Sequence, residues 1–251
     1  MGFTFAHPAA IIPAKYLPQH WYSVTGLVVG SIVPDFEYFF RLNHKSIYSH
    51  HPMGILWFDL PVGCLVAFIF HLIIKVPLFN QLPHRMQLKL ASFIDFDWLV
   101  YVKNHWAIFI FSLIVGAGSH IVWDSFTSID GYFVNKIPGL LVPMTQGDDA
   151  ILWYKVLKHL SSVLGLFFIL RFYASLPERP FSILNKNLPV FSRRLFWALV
   201  SLITVGFLSW RLSFHYAERP ISLVVKIIIS GILTSLLVVC FTDRLLFRLK
   251  N

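Results

Sequence analysis

One uninterrupted apolar stretch limits what this chain can fold into: residues His105–Trp123 contain no Asp, Glu, Lys or Arg. A run of that length approaches what a helix needs to cross a lipid bilayer. Near its end lie His120 and Asp124, four residues apart, which a helix places on one face, one turn apart. Ionisable groups in such a segment are costly unless they face protein, water or a metal ion. The pair therefore indicates a functional site in a membrane protein.

The composition also indicates an integral membrane protein. Of the 251 residues, 57% are hydrophobic and only 13% are charged, whereas soluble domains have about 25% charged residues. The mean hydropathy is +0.68. The formal net charge is +9, but the basic residues are scattered singly beside apolar runs, where they can reach lipid headgroups. A nucleic-acid-binding face would gather them on one surface, so we expect anionic membrane lipid, and no nucleic acid, as a partner.

Both cysteines, Cys64 and Cys240, lie within apolar stretches. They are predicted to be buried as small hydrophobic residues rather than to form a disulfide or bind a metal. A metal site in this chain would therefore use histidines and carboxylates.

Five apolar segments predict transmembrane helices, each with roughly the twenty residues that a span requires. They lie at about Trp57–Val76, His105–Thr127, Ile151–Leu176, Leu195–Phe214 and Ile221–Phe247. No alternating strand pattern or internal repeat occurs. The predicted fold is therefore all-α, a polytopic transmembrane helix bundle of about five spans, preceded by a broken or re-entrant N-terminal helix.

The broken helix is predicted around Pro34. In Val24–Ile32, Gly26 and Gly30 are spaced for close contact with another helix. Pro34 is then followed by acidic residues, which is typical of the start of a new helix. We expect the break near 31–34.

The segment Pro177–Arg194, rich in Pro and Arg, predicts an internal boundary. Residues 1–176 would form a membrane-embedded metal-hydrolase domain, because every candidate site residue lies there. Residues 177–251 would form a two-helix transmembrane hairpin that anchors it.

Two carboxylates follow the predicted break. Asp35 and Glu37 are two residues apart, so they point away from each other on a regular helix. One would bind a metal ion while the other orients a histidine or acts as a general base. The alternative is that both cap the helix and compensate its dipole. For the pair His120 and Asp124, the alternative is a buried hydrogen-bonded pair that helps helices pack.

Two histidines from the N-terminal part of the chain are further candidates. His50 is favoured over the adjacent His51, because it precedes Pro52 and Gly54 in a turn that would aim one ring inward. His7 is equally consistent with a packed ring and with a ligand.

The third predicted span carries Lys155 and His159, four residues apart and therefore on one face. They would contact a phosphate or an oxyanion, although Lys155 would also fit a side chain that snorkels to the membrane surface. His71, in the middle of the first span, is interpreted as a buried histidine with its own partners.

Histidine and carboxylate ligands suit zinc, or iron or manganese at a mixed nitrogen and oxygen site. Such an ion lowers the pKa of water to near 7 and polarises an ester or phosphoryl oxygen. Eleven histidines are many for so apolar a chain. Taken together, these residues predict one metal-binding, hydrolytic centre.

Six motifs occur in order along the chain. They are Phe3-Thr-Phe-Ala-His7-Pro-Ala-Ala, Gly30-Ser-Ile-Val-Pro-Asp35-Phe-Glu37, Ser49-His50-x-x-x-Gly54, Asp59-Leu-Pro61, Gly116-x-x-Ser-His120-x-x-x-Asp124-x-Phe-Thr127 and His159-x-Ser-Ser-x-x-Gly165. Through them the chain closely resembles domain-of-unknown-function family 4184, an uncharacterised family of bacterial multi-pass membrane proteins, over about residues 2–175. The resemblance implies a multi-pass protein of the bacterial cytoplasmic (inner) membrane.

More distantly, the series of His, Pro-Asp-x-acid, Ser-His and His-x-x-x-Asp is similar to the membrane-bound metal-dependent hydrolases and to the zinc-dependent phospholipase C type. That resemblance implies a divalent metal, zinc or else iron or manganese, with the ligands His7, Asp35, His50, His120 and Asp124. Glu37 stands where the wider group often has Asp, and would act as general base or second ligand. Lys155 or His159 would steady the oxyanion.

Three functions follow as hypotheses. The first is a metal-dependent hydrolase that uses activated water on a lipid or lipid-linked ester or phosphoester. The second is a non-enzymatic membrane protein whose cluster binds a metal or ligand for transport, sensing or scaffolding, although a transporter would favour paired broken helices in two related halves. The third is a purely structural polar cluster.

Overall fold

The computed structural model describes residues 2–43, 46–145, 150–180, 190–214 and 221–250. Within these ranges the chain is helical and forms no strand, which confirms the predicted all-α fold. It begins with a 3-10 helix, Thr4–Tyr16. The α-helices are α1 (Val24–Ile32), α2 (Phe36–Arg41), α3 (Leu60–Ile69), α4 (Lys75–Asn80), α5 (His84–Ile94), α6 (Trp98–Ser125), α7 (Tyr132–Lys136), α8 (Trp153–Ser175), α9 (Arg193–Ser213) and α10 (Ile221–Lys250).

Five helical stretches in the described ranges are long and apolar enough to cross a membrane, so the chain is an integral membrane protein. They are Ile55–Asn80, Trp98–Ser125, Trp153–Ser175, Arg193–Ser213 and Ile221–Leu249. The five predicted spans are confirmed. The first is longer than predicted because a π-helical turn, Ile55–Asp59, precedes α3, and because α4 continues the helix to Asn80 after a second π-helical turn, Phe70–Ile74.

The second span begins at Trp98 rather than at His105. His105 has non-helical backbone angles, φ −134° and ψ 29°, so α6 is kinked there. The predicted start of the span therefore corresponds to a kink inside a longer helix.

The N-terminal helix is broken as predicted. Helix α1 ends at Ile32, a 3-10 turn covers Val33–Asp35, and α2 begins at Phe36. Proline has no N–H to donate and disfavours a helical conformation in the residue before it, so Pro34 accounts for the change of helix type. The turn carries Asp35 at its end.

Close backbone contact joins α1 to α6. A Cβ atom on Gly26 would lie 2.6 Å from the carbonyl oxygen of Phe109, and one on Gly116 would lie 2.5 Å from that of Leu27. These distances exclude any side chain, so only glycine allows the two helices to lie this close. The predicted close contact at Gly26 and Gly30 is confirmed, and it brings the end of α1 beside the turn of α6 that carries His120.

The N-terminal 3-10 helix packs against both α1 and α8. A Cβ atom on Gly165 of α8 would lie 2.8 Å from the carbonyl oxygen of Ala6. The N–H of Phe3 donates to Oγ of Ser162 over 3.1 Å. Contact with these helices holds Thr4 and His7 in place.

The chain divides into two compact units whose segments alternate along the sequence. The first contains Met1–Asp35, Ile47–Cys64 and Tyr101–Ser175, and the second contains Phe36–Ser46, Leu65–Val100 and Leu176–Asn251. The predicted boundary after residue 176 stays a prediction, and its residues 181–189 lie outside the described ranges.

The second unit contains the last two spans, α9 and α10, which pack against each other; their assignment to a separate C-terminal hairpin domain stays a prediction. Phe196 and Val200 of α9 form an apolar cluster with Val239 and Cys240 of α10. Helix α10 also contacts α2, where Oγ of Ser230 donates to the carbonyl of Phe39 over 3.1 Å. Cys240 is buried, Cys64 is half-buried, and both are free thiols.

Candidate metal centre

Four side chains of the first unit converge on one point. One ligand atom from each of Asp35, His50, His120 and Asp124 lies within 4.8 Å of the other three. Nε2 of His50 is 3.5 Å from Oδ1 of Asp35 and 3.6 Å from Oδ2 of Asp124. Nε2 of His120 is 3.6 Å and 3.7 Å from the same two oxygens. Nitrogen and oxygen atoms therefore alternate around the point.

These separations fit ligands around an ion better than hydrogen bonds. Nitrogen–oxygen hydrogen bonds have lengths of about 2.7–3.2 Å. Ligands bound at about 2.0–2.2 Å to a four-coordinate ion stand roughly 3.3–3.6 Å apart. The observed range of 3.5–3.7 Å begins within that spacing and ends just above it.

The ligand atoms of Asp35, His120 and Asp124 are buried and make no hydrogen bond to any described residue. Buried polar atoms normally have a partner, because leaving one unsatisfied costs about 1–3 kcal/mol. Three such atoms aimed at one point belong to a group that could hold a metal ion.

The other carboxylate oxygens are held by protein donors. The hydroxyl of Thr4 donates to Oδ2 of Asp35. Oδ1 of Asp124 accepts from the hydroxyl of Thr127 over 3.2 Å and from the N–H of Gly2 over 3.3 Å. Each carboxylate is thus fixed by its outer oxygen and presents its inner oxygen to the shared point.

The ring of His120 is fixed in the same way. Its Nδ1 lies 2.7 Å from the carbonyl oxygen of Ser31. Because a carbonyl can only accept, Nδ1 carries a hydrogen, and Nε2 faces the shared point. Outer hydrogen bonds of this kind orient histidines that bind metals. Nδ1 of His50 lies 2.8 Å from Oγ of Ser49.

Local structure explains why the ligands face one another. Helical spacing places His120 and Asp124 on one face of α6. Asp35 ends the 3-10 turn that Pro34 introduces. The loop that carries His50 closes tightly, because a Cβ atom on Gly54 would collide with the carbonyl oxygen of Tyr48.

His50 is the most accessible of the four. Its side chain is 18% exposed, whereas those of Asp35 and His120 are fully buried. Burial favours the neutral ring, but the adjacent carboxylates of Asp124 and Asp35 raise the pKa of His50 to about 9. Because His50 is the most exposed of the four, a molecule from outside would reach the cluster on its side.

His7 lies beside the group of four. Its ring stacks on that of His120, with centroids 3.9 Å apart. Its Nδ1 is 3.1 Å from the carbonyl oxygen of Thr4, and its Nε2 is 3.4 Å from Oδ1 of Asp124. His7 thus faces the outer oxygen of Asp124, and its role as a metal ligand stays a prediction.

The predicted catalytic residues are not in the group of four. Glu37 belongs to the second unit, where it accepts from Oγ of Ser46 over 3.1 Å and lies 3.6 Å from Nη1 of Arg41. Lys155 and His159 belong to the first unit, on α8, and their side chains are exposed. Their catalytic roles stay predictions.

Sequence reasoning missed the residues that hold the ligands from outside: Thr4, Ser31 and Thr127. A signal existed for Thr127, which stands three residues after Asp124 at helical spacing. For Ser31 the contact uses a backbone carbonyl, which no side-chain pattern reveals.

The comparisons with known proteins give one result. A family model described as "Domain of unknown function (DUF4184)" matches residues 1–241. The match extends beyond the motifs at residues 2–175 and contains every residue of the cluster. No curated protein and no solved structure matches the chain.

Proposed function

The chain belongs to the DUF4184 family, and we propose that it is a membrane-embedded metal-dependent hydrolase acting on a lipid or lipid-linked ester, with a phosphoester as the favoured substrate. One observation carries the proposal: three buried ligand atoms without hydrogen bonds, together with Nε2 of His50, surround a single point. Two histidine nitrogens and two carboxylate oxygens suit zinc, iron or manganese.

In this proposal the chain supplies an anionic metal-binding site. Asp35 and Asp124 contribute the negative charge, while the carbonyl of Ser31 orients the ring of His120 so that its Nε2 would face the ion. A divalent ion bound at this site would supply Lewis acidity, which polarises an ester or phosphoryl oxygen and makes water more acidic. His7 would contact the outer oxygen of Asp124 or bind a second ion.

The surroundings of His50 support an amphiphilic substrate. Its loop exposes Tyr48 and Met53, with Met53 71% exposed, and the π-helical turn that follows exposes Trp57, whose ring lies 4.9 Å from that of Tyr48. Aromatic side chains are enriched where membrane meets water. A lipid diffusing in the bilayer, which we take to be the bacterial cytoplasmic membrane, would thus meet apolar side chains beside the most accessible ligand.

A second candidate function is a closed, structural metal site. Four protein ligands are enough to complete the coordination of zinc, and structural zinc sites are of this kind, whereas catalytic sites keep a position open. A hydrolase would need a fifth position or displacement of a ligand, and His50 on its exposed loop is the ligand best placed to move.

Elemental analysis of detergent-purified protein tests the metal. We expect about one or two equivalents of zinc, iron or manganese in the wild type and none in His120→Ala. His105→Ala, which removes an exposed histidine from the same helix, is the control and should keep the metal. A wild type that stays metal-free after incubation with all three ions would contradict both candidate functions.

Hydrolysis of phospholipid and other lipid phosphoester substrates separates the two candidates. The hydrolase requires turnover that disappears in His120→Ala. Lys155→Ala and His159→Ala should then lower turnover without changing metal content, since neither belongs to the group of four. Stoichiometric metal without turnover on any lipid ester would favour the structural site.

A further inference from the structure

A separate cleft lies within the second unit, at the end of two spans. It has a volume of about 180 Å³ and lies between the end of the first span and the last turns of α10. Its lining residues are Val76, Pro77, Asn80, Asp243, Arg244, Phe247 and Arg248. A cleft of this size is smaller than the roughly 300–1,000 Å³ of sites for drug-sized ligands, so it suits a headgroup rather than a whole lipid.

Two arginines give the cleft its charge. Arg244 and Arg248 are four residues apart on α10, so their side chains share one face. Nε of Arg244 is buried and has no hydrogen-bond partner among the residues that the structure describes. Arginine at a span end usually extends its guanidinium to water, whereas Arg244 lines the cleft with its Nε buried.

The acidic residue of the cleft has a structural partner. Oδ1 of Asp243 accepts from the N–H of Phe191 over 2.9 Å, just before α9. That bond fixes the start of α9 against the end of α10. Asp243 balances one of the two arginines, which leaves the cleft with a net positive charge.

The position of the cleft matches the boundary between the bilayer and water. The first span ends at Asn80 and the last at Leu249. Trp197 donates its indole N–H to the carbonyl of Gln81 over 3.3 Å, and Arg193 donates to that of Leu82 over 2.9 Å. Tryptophan and basic residues are enriched at this depth.

The outer face of α10 next to the cleft is apolar. Phe241, Leu245 and Leu249 are 53%, 47% and 75% exposed. Acyl chains would lie against these side chains when a headgroup occupies the cleft.

We propose that this cleft binds the phosphate of an anionic glycerophospholipid, with Arg244 and Arg248 as its donors. Arginine binds phosphate through paired hydrogen bonds that combine charge with fixed geometry, and basic pockets between transmembrane helices bind anionic headgroups. The site is independent of the metal centre, because all of its residues belong to the second unit.

Native mass spectrometry of the full chain in detergent, titrated with phosphatidylglycerol or phosphatidylcholine, tests the proposal. The wild type should prefer phosphatidylglycerol. The double variant Arg244→Gln/Arg248→Gln should lose affinity for it by roughly tenfold, the size expected for charge-assisted hydrogen bonds. The single variant Arg248→Gln, which changes an exposed side chain, should lose part of the affinity. It tests the proposal if the double variant does not fold.

The control is Arg193→Gln/Arg194→Gln, which removes the same charge at the start of α9 and should retain the affinity. Equal losses in the two double variants would show general attraction to basic residues and overturn the proposal. So would equal binding of the two lipids. Displacement of phosphatidylglycerol by millimolar inorganic phosphate would identify free phosphate as the ligand and overturn the lipid assignment.

Discussion

Two buried polar side chains of the second unit, Lys75 and Gln87, differ from the four clustered side chains of the first unit in what they contact. Both bind backbone carbonyls. Nζ of Lys75 donates to the carbonyl of Phe96 over 2.6 Å. Nε2 of Gln87 donates to the carbonyl of Phe79 over 2.9 Å. These side chains complete the hydrogen bonding of helix ends and turns, so their polarity is satisfied within the protein.

In the first unit, protein partners hold only the outer atoms. Thr4 binds one oxygen of Asp35 and the carbonyl of Ser31 binds one nitrogen of His120. The inner oxygen of Asp35 and the inner nitrogen of His120 are left without hydrogen bonds. Burial alone does not identify a site, because both units bury polar groups. Several inner atoms without hydrogen bonds around one point form a group that could hold a metal ion.

Removal of the metal ion is expected to have the largest effect, and to act on the first unit alone. An ion present at about a thousandfold excess over its dissociation constant contributes about 4 kcal/mol to stability. Removal of the ion by a chelator should therefore speed up hydrogen exchange in peptides from residues 2–35, 47–59 and 116–127. Peptides from α9 and α10 are the internal control. An equal increase in both units would contradict the distinction between them.

Acidification should weaken metal binding through His50. Its pKa of about 9 means that the metal-free ring carries a proton at neutral pH, and the ion must displace that proton. Lowering the pH favours the protonated, metal-free form, so affinity should fall about tenfold per pH unit, or about a hundredfold from pH 8 to pH 6. Titration against a competing chelator measures this. Affinity that stays constant over those two units would contradict the assignment of His50 as a ligand.

The spans and the helical pair could be predicted because their causes are local. A bilayer requires about twenty apolar residues in succession, which the sequence shows directly. Helical spacing alone places His120 and Asp124 on one face. Pro34, which has no N–H to donate, likewise interrupts the helix at the predicted position.

Long-range contacts account for what could not be predicted. The partners Thr4 and Asp35 are 31 residues apart, and Ser31 and His120 are 89 apart. Glu37 follows Asp35 by two residues, yet belongs to the other unit because the first unit's segment ends at Asp35. None of these three features produces a recognisable pattern in a single sequence, because each depends on which helices pack together.

Glycine substitutions in α6 test whether the contact between α1 and α6 positions the site. Gly116→Ala would place a Cβ atom 2.5 Å from the carbonyl oxygen of Leu27, whereas a Cβ atom on Gly118 would meet nothing within 4 Å. We expect Gly116→Ala to lower the unfolding free energy by about 1–3 kcal/mol and to weaken metal binding, because Ser31 moves with α1.

Gly118→Ala is the matched control in the same helix and should raise stability by roughly 0.5–1 kcal/mol. Thermal unfolding and metal titration of both variants provide the measurement. Similar destabilisation by the two alanines would mean that the close approach of the helices does not matter.

The smallest effect is expected from Thr4→Val. Its comparison with Thr204→Val distinguishes a threonine that positions a metal ligand from one that stabilises the fold. Thr4→Val removes the hydroxyl that holds the outer oxygen of Asp35, and loss of such a partner weakens metal binding by about tenfold or somewhat more. Thr204→Val in the second unit removes a hydroxyl that lies 3.0 Å from Oγ of Ser235. It should cost stability of about 1 kcal/mol and leave metal affinity unchanged. If both valines weakened metal binding equally, the effect of Thr4 would be general destabilisation. If only Thr4→Val does so, its hydroxyl positions a metal ligand, as the contrast between the units requires.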